Sequence, residues 1–158
     1  MVNKSLVARV RNKGRWNGRG SEWSTPVELF EELDEEFCFT LDVCASEWNR
    51  KCERYFSVEE DGLTQEWGEE VCFMNPPYGK ALNDWMKKAY ASVIGGATVV
   101  CLVPAATDLG WWHDYAMRGE IRFLRGRPRF LTESGKWQNT FLSSVIVIFV
   151  PGKVNIDE

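Results

Sequence analysis

The residues Asn75-Pro76-Pro77-Tyr78 end the short apolar run Val71 to Met74 with an amide, two prolines and a phenol. A residue before proline is pushed toward extended backbone, and proline itself has a fixed φ and no N–H. Asn75 and Pro76 both precede a proline, so the corner is stiff and its carbonyls are not consumed by a helical turn. It presents two acceptors in a fixed direction, the Asn75 side-chain oxygen and the Pro76 carbonyl, with Tyr78 a flat surface just beyond. An exocyclic amine on a planar base has two hydrogens to donate and a π-face to stack, and this corner meets those needs. The same residues also suit a strand that runs into a rigid loop closed by Gly79, with Tyr78 simply packed.

Such a corner works only if other elements hold it against further polar groups. Thr25, Pro26 and Glu28 predict a helix start, with Thr25 as N-cap, Pro26 at the first helical position and Glu28 closing a capping box. The helix runs to about Glu36 with Leu29, Phe30 and Leu33 on one face. Strands are predicted over Phe37 to Val43, Val71 to Met74, Ala97 to Val103, Ile121 to Leu124 and Ser144 to Val150, and helices over Ala81 to Val93 and Asp108 to Met117. This alternation predicts an α/β fold, an open and mostly parallel sheet covered by helices on both faces. In such sheets ligands lie beyond the carboxyl ends of the strands. Asp42, Asn75 and Thr107 or Asp108 each follow a predicted strand and so converge on one edge.

At 158 residues the chain suits one core, and no linker divides it. The net charge of -4 argues against coating nucleic acid by bulk attraction. The cations are unevenly placed, because residues 1 to 21 carry Lys4, Arg9, Arg11, Lys13, Arg15 and Arg19 and no acid. That segment reads either as a mobile arm for phosphates or as a solubilising terminus. No secretory pattern follows the basic start, and the longest apolar run, Val145 to Val150, is far too short for a bilayer, which predicts a soluble intracellular protein. The five cysteines lack CxxC spacing. Cys44, Cys52 and the single histidine, His113, form a zinc set on paper only, and no metal is expected.

Two later segments suit nucleic acid. Arg127 and Arg129 flank Pro128, and Lys136, Trp137 and Asn139 combine a cation, an aromatic ring and an amide fit for base edges or stacking. Both are equally ordinary as surface loops. Trp111 and Trp112 cannot both face one core position of a helix, so one is expected to be partly exposed or at an interface. His113 beside them is a possible general base.

The string Asn75-Pro-Pro-Tyr78 resembles the catalytic motif of S-adenosylmethionine-dependent amino-group methyltransferases. Its surroundings resemble the phage-type DNA N-6-adenine methyltransferase family: Trp23-Ser24-Thr25-Pro26, Phe39-Thr40-Leu41-Asp42-Val43-Cys44-Ala45, Asp61-Gly62-Leu63 followed by Trp67, Leu102-Val103-Pro104, and Gly126-Arg127-Pro128-Arg129-Phe130. The resemblance implies a compact Rossmann-like methyltransferase fold over 23–152, a flexible basic arm over 1–22 and a tail over 153–158. It implies catalysis by Asn75, Pro76, Pro77 and Tyr78, and S-adenosylmethionine held by Thr25, Pro26, Asp42, Cys44 and Asp61. DNA is the implied partner, with adenine flipped out, no membrane, no obligatory protein partner, and a cytoplasmic location, the host's if phage-encoded. No glycine-rich GxGxxG follows the first strand, which argues against a nicotinamide cofactor. Alternatives are methylation of an RNA base or of a protein glutamine amide, and a nucleic-acid-binding module without catalysis.

Overall fold

The structure, a computed structural model, describes residues 23–154. The predicted basic arm and the last four residues of the predicted tail lie outside that range. The elements in chain order are β1 (Trp23–Ser24), α1 (Val27–Phe37), β2 (Leu41–Asp42), β3 (Val71–Met74), α2 (Leu82–Ile94), β4 (Thr98–Pro104), α3 (Gly110–Asp114), a 3-10 turn (Ala116–Arg118), β5 (Glu120–Phe123), β6 (Arg129–Thr132), β7 (Trp137–Asn139) and β8 (Ser144–Phe149).

Five strands form one sheet in the order β2-β3-β4-β8-β5, and three form a second in the order β1-β6-β7. In the larger sheet β2, β3 and β4 are parallel, with Asp42 beside Phe73 and Met74 beside Cys101. β8 runs antiparallel to both its neighbours, from Val99 beside Phe149 to Pro104 beside Ser144 on one side and from Glu120 beside Ile148 on the other. The smaller sheet is wholly antiparallel. These sheets correct the expected Rossmann-like, mostly parallel fold with helices on both faces: half the pairings in the main sheet are antiparallel, a second sheet is present, and the described residues hold three α-helices, one of them only five residues long. The physical reason lies in β8. A strand buried on both faces reads as an unbroken apolar run whichever way it points.

Alternation along β4 divides the core. Val99, Cys101 and Val103 pack with Trp85, Met86 and Ala89 of α2 and with Trp111 and Trp112, whereas Val100 and Leu102 pack with Leu33 of α1 and with Phe130. Both tandem tryptophans are buried, contrary to the expected exposure of one. They lie edge to face, 5.8 Å apart, both turned into the core while Gly110, His113 and Asp114 of the same short helix are exposed. His113 beside them is exposed and its Nε2 lies 2.8 Å from the Thr107 carbonyl oxygen. No helix of the described residues is long and apolar enough to cross a membrane.

Candidate active site at the ends of the parallel strands

Parallel strands must end on the same edge, and β2 and β3 deliver Asp42 and Asn75 there side by side. With Trp23, Thr25, Cys44, Asn49, Lys51 and Phe73 they line one cleft, about 200 Å3 of space open to solvent.

Asp42 is 3% exposed. Its Oδ1 accepts from the Cys44 N–H at 3.3 Å and its Oδ2 from the Lys51 N–H at 3.0 Å. Burial pushes its pKa up to about 6, against the pull of those two N–H groups. The backbone of Asp42 is clamped as well, donating to the Arg54 carbonyl and accepting from the Phe56 N–H. Lys51 is half-buried, and burial lowers the pKa of its ammonium while the Asp42 carboxylate opposes that shift. The Cys44 thiol is pushed well up, first by burial and then by the charges of Asp42 and Asp61. It is no reactive thiolate.

Asp61 reaches this neighbourhood because Gly62 closes on the strand exit. A Cβ on Gly62 would sit 2.1 Å from the Val43 carbonyl oxygen, so only glycine permits the approach. The Gly62 carbonyl accepts from Trp67 Nε1 at 2.8 Å, which ties the turn to the core. Asp61 itself has φ 52°, and its Oδ1 accepts from the Leu63 N–H at 3.2 Å. It is near Cys44 but is not among the residues lining the cleft.

The corner after β3 is held from the other sheet. Asn75 Nδ2 donates to Thr25 Oγ1 at 3.0 Å. The predicted capping box therefore does not form: Pro26 occupies the N-cap position of α1 and no side chain caps the helix. The Pro26 carbonyl instead accepts from the Phe30 N–H at 3.1 Å. The Pro76 carbonyl takes no backbone hydrogen bond among the described residues. Tyr78 is half-buried, and its ring stands edge-on to Trp23 at 6.3 Å. Its hydroxyl is turned inward beside Ser144 Oγ, and neither oxygen completes a hydrogen bond of good geometry. Burial drives the phenol pKa well up. The ring is thus held at its edge against Trp23, with its hydroxyl end beside Ser144 of β8.

The small sheet gathers most of the predicted nucleic-acid residues. Arg129 lies opposite Asn139, and Leu131 opposite Trp137, so Arg129, Trp137 and Asn139 share one face. The Arg129 guanidinium lies over the Trp137 ring at 5.7 Å, and Trp137 is 55% exposed. Phe130, on the opposite face, is buried and stacks on Trp23 at 5.5 Å. Lys136 sits in the exposed turn before β7, and Arg127 donates to the Thr140 carbonyl from the neighbouring loop. The on-paper zinc set is not assembled, since no group of three His, Cys, Asp or Glu side chains among the described residues is placed to hold a metal. Lys51 and Phe73 are site features that the sequence did not single out, and Gly62 stood there only within the Asp61-Gly62-Leu63 string. Only Gly62 carried a signal, an Asp-Gly pair beside an acidic run.

The family model for DNA N-6-adenine-methyltransferase (Dam) matches residues 16–156. A protein of Haemophilus phage HP1 named DNA N-6-adenine-methyltransferase is 34% identical over 92 residues, 57% of this chain and 53% of that protein. One of the same name from Escherichia phage T1 is 33% identical over 94 residues, 58% of this chain and 39% of the relative. A putative methyltransferase, YfdM, of Escherichia coli K12 is 34% identical over 89 residues, 49% of this chain and 98% of its own length. The chain thus spans about half the length of the HP1 protein and less of the T1 protein. With all of the described residues inside the family match, the chain belongs to the DNA N-6-adenine-methyltransferase (Dam) family.

Proposed function

We propose that the protein methylates the N6 amine of adenine in DNA, using S-adenosylmethionine as donor. The observation that carries this reading is the meeting of Asn75 and Asp42 in one cleft at the ends of adjacent parallel strands. The names of the phage relatives support the substrate.

The lining fits the proposed donor. It contains one carboxylate, Asp42, and one ammonium, Lys51, complementary to an α-amino acid that carries both charges. Cys44 in the lining, Asp61 beside it and Pro26 are the remaining proposed cofactor residues, while Thr25 lines the cleft next to Asn75. When bound, S-adenosylmethionine supplies a methyl group on a positively charged sulfur. Asp42 and Lys51 would hold its charged amino-acid groups, and Asn75 and Pro76 would orient the incoming amine.

Adenine N6 lies inside the duplex, so the base must leave the stack, at a cost of a few kcal/mol. The amine then donates to Asn75 Oδ1 and to the Pro76 carbonyl, and Pro77 keeps the corner rigid. As positive charge grows on nitrogen these acceptors bind more strongly, which lowers the barrier. Tyr78 contributes its ring, wedged against Trp23, as the wall on which the base rests. Proton loss follows methyl transfer and needs no strong base, so His113, bonded to Thr107, has no required part. Arg127, Arg129, Lys136, Trp137 and Asn139 contact the DNA, phosphates through the cations and bases through the ring and amide.

A substrate panel tests the reading. The full chain is given labelled S-adenosylmethionine with DNA, with RNA or with a glutamine-bearing protein, and label is expected in DNA. Label in RNA or protein alone would move the activity to another planar amine or amide. Binding to DNA without cofactor binding or label would leave only a nucleic-acid-binding module.

A further inference from the structure

Thr25 has a partner that its place in the chain does not predict. A threonine just before a helix ordinarily spends its hydroxyl on a free N–H of the first turn. Here the hydroxyl makes no cap bond and instead meets Asn75 Nδ2 at 3.0 Å, fifty residues away in sequence. The contact is half-buried and braced, with Thr25 itself 3% exposed. Before it, Trp23 and Ser24 pair with Thr132 and Leu131 of β6, and the Trp23 carbonyl accepts from Asn49 Nδ2 at 3.2 Å. After it, Pro26 has a ring-fixed φ of −52°.

A primary amide has two unlike ends, and the end turned toward one partner fixes the end shown to the other. With an N–H of Asn75 spent on Thr25, Oδ1 is the end left for an incoming amine. The reversed amide would set its NH2 against another NH2, donor against donor. We propose that Thr25 is a positioning residue for methyl transfer, whose hydroxyl accepts from Asn75 Nδ2 and holds the amide in place with Oδ1 left for the target amine, which itself selects that end. The proposal rests on the reading of Asn75 as the amine acceptor. It also gives the small sheet a part in the chemistry, because the group that sets the amide follows β1 directly while the amide itself follows β3.

Thr25→Val keeps the shape and removes the hydroxyl, and Thr25→Ser restores it. At saturating cofactor and DNA, Thr25→Val should slow the single-turnover rate about tenfold, the equivalent of one hydrogen bond. Its calorimetric cofactor affinity should stay within about twofold of wild type, and Thr25→Ser should recover most of the rate. In 1H–15N spectra the Asn75 side-chain NH2 pair should move toward solvent values in Thr25→Val and stay in place in Thr25→Ser. If Thr25→Val does not fold, Thr25→Ala carries the same loss without the added methyl. A normal rate with weakened cofactor binding would overturn the proposal and make Thr25 a cofactor contact, and a Thr25→Ser protein as slow as Thr25→Val would also overturn it. A wild-type chain that transfers no methyl group to DNA would instead sink the functional reading, which separates the two failures.

Discussion

Along β8 and along β4 after its first residue the larger sheet is buried, whereas β7 of the smaller sheet exposes all three of its residues. The larger sheet sets Asn75 at the end of β3, which is paired on both sides, and Asp42 at the end of the edge strand β2, where the segment from Arg54 to Phe56 clamps it. The smaller sheet turns Phe130 inward onto Trp23 and turns Arg129, Trp137 and Asn139 outward. Chemistry that depends on fixed distances belongs with the first arrangement, and contact with a large, variable substrate with the second. The two are not independent, because Trp23 and Thr25 come from the small-sheet side and line the same cleft as Asp42 and Asn75.

This contrast predicts that substitutions on the two sides separate rate from binding. The largest effect belongs to Asn75→Ala, which should slow single-turnover methylation about a hundredfold or more, as loss of a charge-stabilising partner does elsewhere. Its cofactor affinity should change little. Gly62→Ala attacks the same side through the backbone, forcing a Cβ onto the Val43 carbonyl. It should cost about 2–3 kcal/mol in urea unfolding, as overpacking does, and should weaken cofactor binding as Asp61 is displaced.

On the small sheet, Trp137→Ala should raise the DNA Kd about tenfold, the value of one stacking contact. Arg129→Ala should reduce the slope of log K against log salt by about one. Both proteins should regain wild-type rates at saturating DNA. A rate defect that persisted there would break the division of labour.

The pH response is smaller and belongs to Asp42. Its pKa is raised to about 6 by burial, above the value in the unfolded chain, so the protonated form is favoured in the fold. In the free protein the stability from that group is therefore full below the unfolded pKa and lost as pH rises through about 6. Cofactor binding has the opposite sign, since it uses the ionised form and should weaken about fourfold between about pH 7.5 and about pH 5.5. Calorimetry across that range should show the loss in wild type and a flat profile in Asp42→Asn. Smallest of all is Tyr78→Phe, which removes a buried hydroxyl with no well-formed hydrogen bond. It should change stability by less than about 1 kcal/mol and leave the rate within about twofold of wild type.

Much of the larger sheet is legible in the sequence. Val71 to Met74 is a strand with the predicted bounds, and β4, β8 and α2 begin and end within one residue of prediction. Apolar runs and helical spacing specify such elements locally. The predicted strand from Phe37 shrinks to Leu41–Asp42, because Phe37 and Phe39 stack in an aromatic cluster with Phe30 and Phe73 instead of extending. The small sheet could not be read at all. β1 pairs with β6 across more than a hundred residues, and two residues of strand carry no periodicity. The site was legible where it obeys the rule of strand ends, at Asp42 and Asn75. Lys51 was not, being one of several cations in an irregular segment, and the partner of Thr25 was hidden because local sequence offers that hydroxyl to the helix.

The most direct measurement is nucleoside mass spectrometry of DNA after one turnover with the full chain and S-adenosylmethionine, for wild type and Asn75→Ala side by side. N6-methyladenine should form with wild type and fall about a hundredfold with Asn75→Ala at saturating cofactor. Equal yields from the two proteins, or a methyl group found on another base, would contradict the account.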